Sequence, residues 1–106
     1  DEVLKALAET CRRALRPADV FGRFGGEEFV ALLPAADADD AADIAERLRR
    51  LTEESAIATP EGVIRVTLSA GHTTALPGDS PDDLLRRADS ALYESKRSGR
   101  NRVSRA

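Results

Sequence analysis

Methionine and tryptophan are absent from this sequence, and cysteine, histidine and tyrosine occur once each. A lone cysteine, Cys11, closes no internal disulfide and builds no Cys-based zinc site, so the expected compartment is the reducing cytoplasm. One Tyr and three Phe offer almost no platform for stacked bases, and 16 Lys+Arg against 19 Asp+Glu leave a formal charge of −3. A dedicated nucleic-acid binder or a polybasic membrane binder would need a strong positive field, so neither partner is expected. No apolar run approaches the roughly 18–20 residues of a membrane span, and no signal-peptide pattern opens the chain. With no Met, and with Asp1 already inside a helical pattern, the sequence is expected to be a piece of something longer.

At 106 residues the chain makes a single domain, 1–106, with 42% hydrophobic and 33% charged residues. That composition excludes a disordered tail and a fibrous repeat. Leu4, Leu7, Cys11 and Leu15 recur at helical spacing until Pro17, so a first helix is expected to end near Arg16. Val20 to Phe24 and Glu28 to Leu33 read as two strands joined by Gly25-Gly26, a pair that tolerates the positive φ of a hairpin turn. The second is apolar on both faces and is expected inside a covered sheet. Asp37 caps a second helix with the stripe Ile44, Leu48, Leu51, and Val63 to Thr74 reads as one β-branched strand. Ser80-Pro81-Asp82-Asp83 starts a third helix with Leu84, Leu85, Ala88 and Leu92 on one side. Ser98-Gly99 ends it, and Arg102 to Ser104 suffices for a short closing strand. Helices separated by strands on one sheet indicate an α/β sandwich.

The chemistry concentrates at Arg23-Phe24-Gly25-Gly26-Glu27-Glu28-Phe29. Adjacent carboxylates repel, and strand ends do not favour Glu, so the pair is a poor structural choice. Two glycines leave bare backbone that a bulky ligand can approach, beside hard oxygen ligands suited to Mg²⁺. Lys96, Arg97, Arg100, Arg102 and Arg105 follow or close the third helix, where the dipole favours cations. Solvated charge therefore explains any of them at first sight. Cys11 is most simply a small buried hydrophobe, and His72 reads as structural or surface.

Gly25-Gly26-Glu27-Glu28-Phe29 resembles the signature turn of the GGDEF family, the diguanylate cyclases, in its GGEEF form. Other segments match in order. Asp1-Glu2-Val3-Leu4 is similar to the family's GDxxL helix start without its Gly, and Arg16-Pro17-Ala18-Asp19 to its RxxD motif. Thr67 to Gly71 is similar to its T-x-S-x-G strand, and Lys96 to Asn101 to its KxxGR(N) segment.

The resemblance implies an α/β sandwich like polymerase palms and nucleotide cyclases, with the active-site turn on an antiparallel hairpin. It implies condensation of two GTP into cyclic di-GMP and two pyrophosphates, with Mg²⁺ or Mn²⁺, in a homodimer. Carried over residue by residue, Glu27 would assist deprotonation of the 3′-OH and hold metal, and Glu28 would be the neighbouring ligand. Gly25 and Gly26 would admit the nucleotide, Lys96 and Arg100 would bind its triphosphate, and Asp1 would read the guanine edge. Arg16 and Asp19, with Arg47, match an inhibitory site for cyclic di-GMP. Arg47 reads nearly as well as an exposed helix charge paired with Asp43 one turn away.

The family's first strand, with a metal-binding Asp and a guanine-reading Asn, precedes the region this chain matches. The chain is therefore expected to lack a central strand and to be inactive alone. An upstream sensor or receiver domain is expected, and any membrane anchor would lie there. The alternatives are a degenerate domain that acts as a cyclic di-GMP receptor, and a dimerisation module. Intact Glu27 and Glu28 disfavour the first, and Lys96 and Arg100 have no use in the second.

Overall fold

A computed structural model describes residues 2–106. Its elements are α1 (Glu2–Ala14), β1 (Val20–Gly25), β2 (Glu28–Leu32), α2 (Ala38–Glu54), β3 (Ile57–Thr59), β4 (Gly62–Ile64), β5 (Ala70–His72), α3 (Pro81–Arg97) and β6 (Val103–Arg105). The helix starts follow local chemistry. The Asp37 side chain accepts from the Asp40 N–H at 2.8 Å, and Asp40 accepts in return from the Asp37 N–H. Ser80 and Asp83 make the same reciprocal box, with Pro81 in the first turn. Each box satisfies two N–H groups that a helix start leaves without partners.

Three two-stranded sheets form: β1–β2 and β3–β4 antiparallel, β5–β6 parallel. Both α2 and α3 pack on the β5–β6 pair, and α1 packs on α2 and β3. The core is narrow and rich in small side chains, with Ala8, Cys11, Ala41, Ile44, Ile57 and Ala91 buried. Alanine at these positions lets backbones approach. Gly71 carries that furthest, since a Cβ there would run into the α3 backbone at Ala88, Ala91 and Leu92. Beside it, the fully buried Ser95 hydroxyl donates to the Ala70 carbonyl at 2.8 Å and meets the Ser104 hydroxyl at 2.7 Å. One polar side chain thus fastens α3 to both parallel strands.

Several expectations are corrected. The first helix stops at Ala14, because the Arg16 N–H turns to the Asp19 carboxylate at 2.9 Å. The strands do not share one sheet, and β2 is not covered on both faces: Leu32, paired with Val20, is 57% exposed. Residues 63–74 are not one strand. A turn at Pro60-Glu61 folds β4 back on β3, a strand the sequence reading missed. The chain then runs irregularly until Ala70, whose N–H reaches the Arg102 carbonyl beside β6. On α3, Leu84, Ala88 and Leu92 are half-buried as expected and Leu85 is 37% exposed, while Ala91 and Ser95, absent from the expected stripe, are buried. Among the described residues no helix is long and apolar enough to cross a membrane.

Candidate active site

The β1–β2 hairpin sets the geometry. Its register slips between Arg23 and Gly25, and Gly26 takes φ +52°, a left-handed conformation that glycine adopts without steric penalty. Arg23 closes the turn, its Nε donating to the Gly26 carbonyl at 2.8 Å and its Nη2 to the same oxygen. The sequence reading gave Arg23 no role, although its three-residue offset from the turn glycine was visible. Beneath the turn the Phe21 and Phe29 rings stack with centroids 5.2 Å apart, and the Arg12 guanidinium lies 5.8 Å from the Phe21 centroid. A cation over a ring face is attracted by the ring quadrupole, so Arg12 ties the hairpin to α1.

Glu27 stands exposed at the tip and Glu28 half-buried at the start of β2. The last turn of α3 brings Lys96 Nζ to 3.7 Å from Glu28 Oε2. A cation of the KxxGR(N) segment and a carboxylate of the hairpin therefore meet in space. Arg100 sits in the turn after α3, its side chain exposed and without a hydrogen-bond or ion-pair partner among the described residues. Arg97 pairs with Glu94 at 2.9 Å, and Arg105 with Asp39 at 3.1 Å. Asp1 lies outside the described residues.

Arg16 and Asp19 form a tight pair: Nη2 donates to Oδ1 at 2.8 Å, and Nε approaches both carboxylate oxygens. Arg16 Nη2 also donates to the Pro34 carbonyl at 3.0 Å, so this motif spans the two ends of the hairpin. The guanidinium holds the Asp19 carboxyl below the usual carboxylate range. Arg47 is exposed on α2, and neither the ion pair with Asp43 nor any bond to Arg16 or Asp19 forms.

Among the described residues no group of three or more His, Cys, Asp or Glu side chains gathers as a metal site. Two adjacent carboxylates beside two glycines still suit Mg²⁺, which keeps several waters and takes one or two protein carboxylates plus substrate phosphates. The remaining single residues are structural. Cys11 is buried, which pushes its thiol up, and a buried thiol of that kind is unreactive. His72 lies on β5, where burial and the Arg105 charge push it down.

The chain is a mixed α/β domain that presents a glycine hairpin with adjacent carboxylates, one of them approached by a lysine from a helix end. Residues 1–102 match the family described as "Diguanylate cyclase, GGDEF domain". The chain belongs to the GGDEF family. It is 44% identical over 103 residues to the diguanylate cyclase DgcM of Escherichia coli K12, a match covering 97% of this chain and 24% of DgcM. The diguanylate cyclase SiaD of Pseudomonas aeruginosa, solved with its activator SiaC, superposes with TM-score 0.93 at 38% identity, over 98% of this chain and 40% of that one. The coiled coil and GGDEF domain of DgcB from Caulobacter crescentus, solved with c-di-GMP, gives 0.91 at 32% identity, over 98% and 56%. The chain thus spans well under two thirds of each of these relatives.

Proposed function

We propose that this chain carries the catalytic hairpin of a diguanylate cyclase, which condenses two GTP into cyclic di-GMP and two pyrophosphates. The observation that carries the reading is the Lys96–Glu28 approach at 3.7 Å, which sets a phosphate-binding cation beside the carboxylates of the glycine turn. In each half-reaction the 3′-oxygen of one GTP attacks the α-phosphorus of the other. A P–O bond forms there, the bond to the β-phosphate bridging oxygen breaks, and pyrophosphate leaves with that electron pair. Phosphoryl transfer of this kind depends mainly on positioning and on neutralising charge.

Glu27, exposed and acceptor-only when ionised, takes the 3′-hydroxyl proton directly or through one water. Glu28 and Glu27 would hold Mg²⁺, which neutralises charge on the phosphate oxygens when bound. Lys96 and Arg100 grip the triphosphate, and Gly25 and Gly26 leave room for the nucleotide against the backbone. Each protomer would hold one GTP at its hairpin, and two protomers facing one another bring the two GTP molecules together, so the working unit is a homodimer. Asp1 is the proposed guanine reader. Arg16 and Asp19, with Arg47 nearby in role, form a product site where cyclic di-GMP inhibits. The buried Cys11 thiol agrees with a cytoplasmic setting, and regulation falls to a sensor or receiver domain elsewhere in the protein.

The test is GTP turnover by the intact protein, followed by chromatographic detection of cyclic di-GMP, in parent and Glu28→Ala. Synthesis by the parent and none by the variant supports the reading. Binding of cyclic di-GMP without synthesis by the parent would replace it with the receptor role.

A further inference from the structure

Two successive residues without a glycine's freedom, Arg100 (φ +64°) and Asn101 (φ +49°), adopt the left-handed conformation just after α3. Asn tolerates that region; a long side chain such as Arg enters it only where its surroundings dictate it. Here they do. The Arg100 N–H donates to the Ser95 carbonyl at 2.9 Å, and the Asn101 N–H to the Ser69 hydroxyl at 3.2 Å.

The Asn101 side chain is then gripped at both ends by α2. Its Oδ1 accepts from Arg49 Nη1 at 2.9 Å, and its Nδ2 donates to Glu53 Oε2 at 2.5 Å. The reverse amide orientation would set NH₂ against a guanidinium and C=O against a carboxylate, so the pair fixes which way the amide points. Arg49 is itself held by Glu46, through Nε–Oε1 at 2.8 Å and Nη2–Oε2 at 2.6 Å, and its side chain is only 16% exposed. Arg49 Nη1 also reaches Glu53 Oε1 at 3.2 Å, which closes a ring of three side chains around the amide. What this ring holds still is the backbone that bears Arg100, whose own side chain is exposed and without a partner among the described residues.

We infer that Arg49 and Glu53 are positioning residues for substrate binding, acting through the Asn101 amide to fix the turn that aims Arg100 at the GTP phosphates. The inference rests on the phosphate role proposed above for Arg100. A guanidinium carried on a fixed backbone loses less freedom on meeting phosphate than one on a loose turn.

The experiment is a double-mutant cycle in the intact protein, with Mg-GTP steady-state kinetics on parent, Arg100→Ala, Asn101→Ala and the double variant, together with Arg49→Ala and Glu53→Ala. Each of these last two should share the raised KM of Asn101→Ala; a parental KM in both would overturn the inference. Urea midpoints establish that each is folded. Asn101→Ala should raise KM roughly tenfold with kcat little changed, as expected for a misplaced charge-assisted phosphate contact. The double variant should be no worse than Arg100→Ala, because Asn101 has nothing left to position. Asn101→Gly is the control if the alanine variant does not fold. It keeps the left-handed backbone, loses the amide and should show the same KM. Additive losses, or a parental KM in Asn101→Gly, would overturn the inference while leaving the phosphate role of Arg100 standing. An unchanged KM in Arg100→Ala itself would instead remove that role, and this inference with it.

Discussion

Lys96 Nζ and Glu28 Oε2 lie 3.7 Å apart, and this pair joins the end of α3 to the tip of the β1–β2 hairpin. Both side chains are more than a third exposed, so the contact is a weak stabiliser; exposed pairs contribute at most about 1 kcal/mol. Its worth is positional. Glu28→Ala and Glu27→Ala are accordingly expected to leave the urea midpoint within experimental error and to cut cyclic di-GMP synthesis at least roughly 100-fold. Parental turnover by a folded double-alanine variant would remove both residues from the site.

Gly71→Ala is expected to act on the fold. The new methyl meets the α3 backbone at Ala88 and Leu92, which has no rotamer to move. Overpacking of this kind costs about 1–3 kcal/mol, and β5 must shift off the helix to relieve it. Chemical denaturation would show a lowered midpoint, whereas an unchanged one would mean that β5 has room to move.

Arg16→Ala is expected to raise the inhibition constant for cyclic di-GMP roughly tenfold or more, through loss of a bidentate guanidinium contact. Arg16 also bonds Asp19 and the Pro34 carbonyl across the hairpin's ends, so amide exchange in β1 and β2 should quicken in the same variant. Inhibition as strong as the parent's would rule out this motif as the product site.

A pH dependence follows from Asp79. Two Arg87 nitrogens bond its carboxylate, at 2.9 and 2.7 Å, and hold its pKa down to about 2 from 3.8. A carboxyl whose folded pKa lies below its unfolded value stabilises fully above the unfolded value and loses that stabilisation as pH falls through the folded one. Stability should therefore decline between about pH 4 and pH 2, the values that bracket this shift. Asp79→Asn should flatten that part of the curve. An equally steep fall in the variant would assign the effect to other carboxylates.

A protein of residues 1–106 is expected to associate in solution. Its three sheets have two strands each, and such pairs expose unpaired N–H and C=O groups along their edges. Sedimentation checks this; a compact monomer would contradict it.

Local chemistry was legible in the sequence by itself. Asp37 and Ser80 capped helices because their side-chain oxygens reach an N–H three residues on, and of the two glycines Gly26 turns the hairpin at φ +52°, while Gly25 ends β1. The candidate hairpin, Lys96 and Arg100 were marked by the resemblance of their segments to the GGDEF family. What the tertiary structure alone decided was pairing over distance. Nothing in the run Val63 to Thr74 says that Ala70 to His72 will lie parallel to Val103–Arg105 while Gly62–Ile64 folds back on Ile57–Thr59. Those partners depend on which backbones can close, and that is set by Gly71 against α3 and by the Ser95 hydroxyl between two strands. The Asn101 clamp was hidden for the same reason. Its partners Arg49 and Glu53 sit on another helix, and a hydrogen bond leaves no periodicity in sequence for a reader to find.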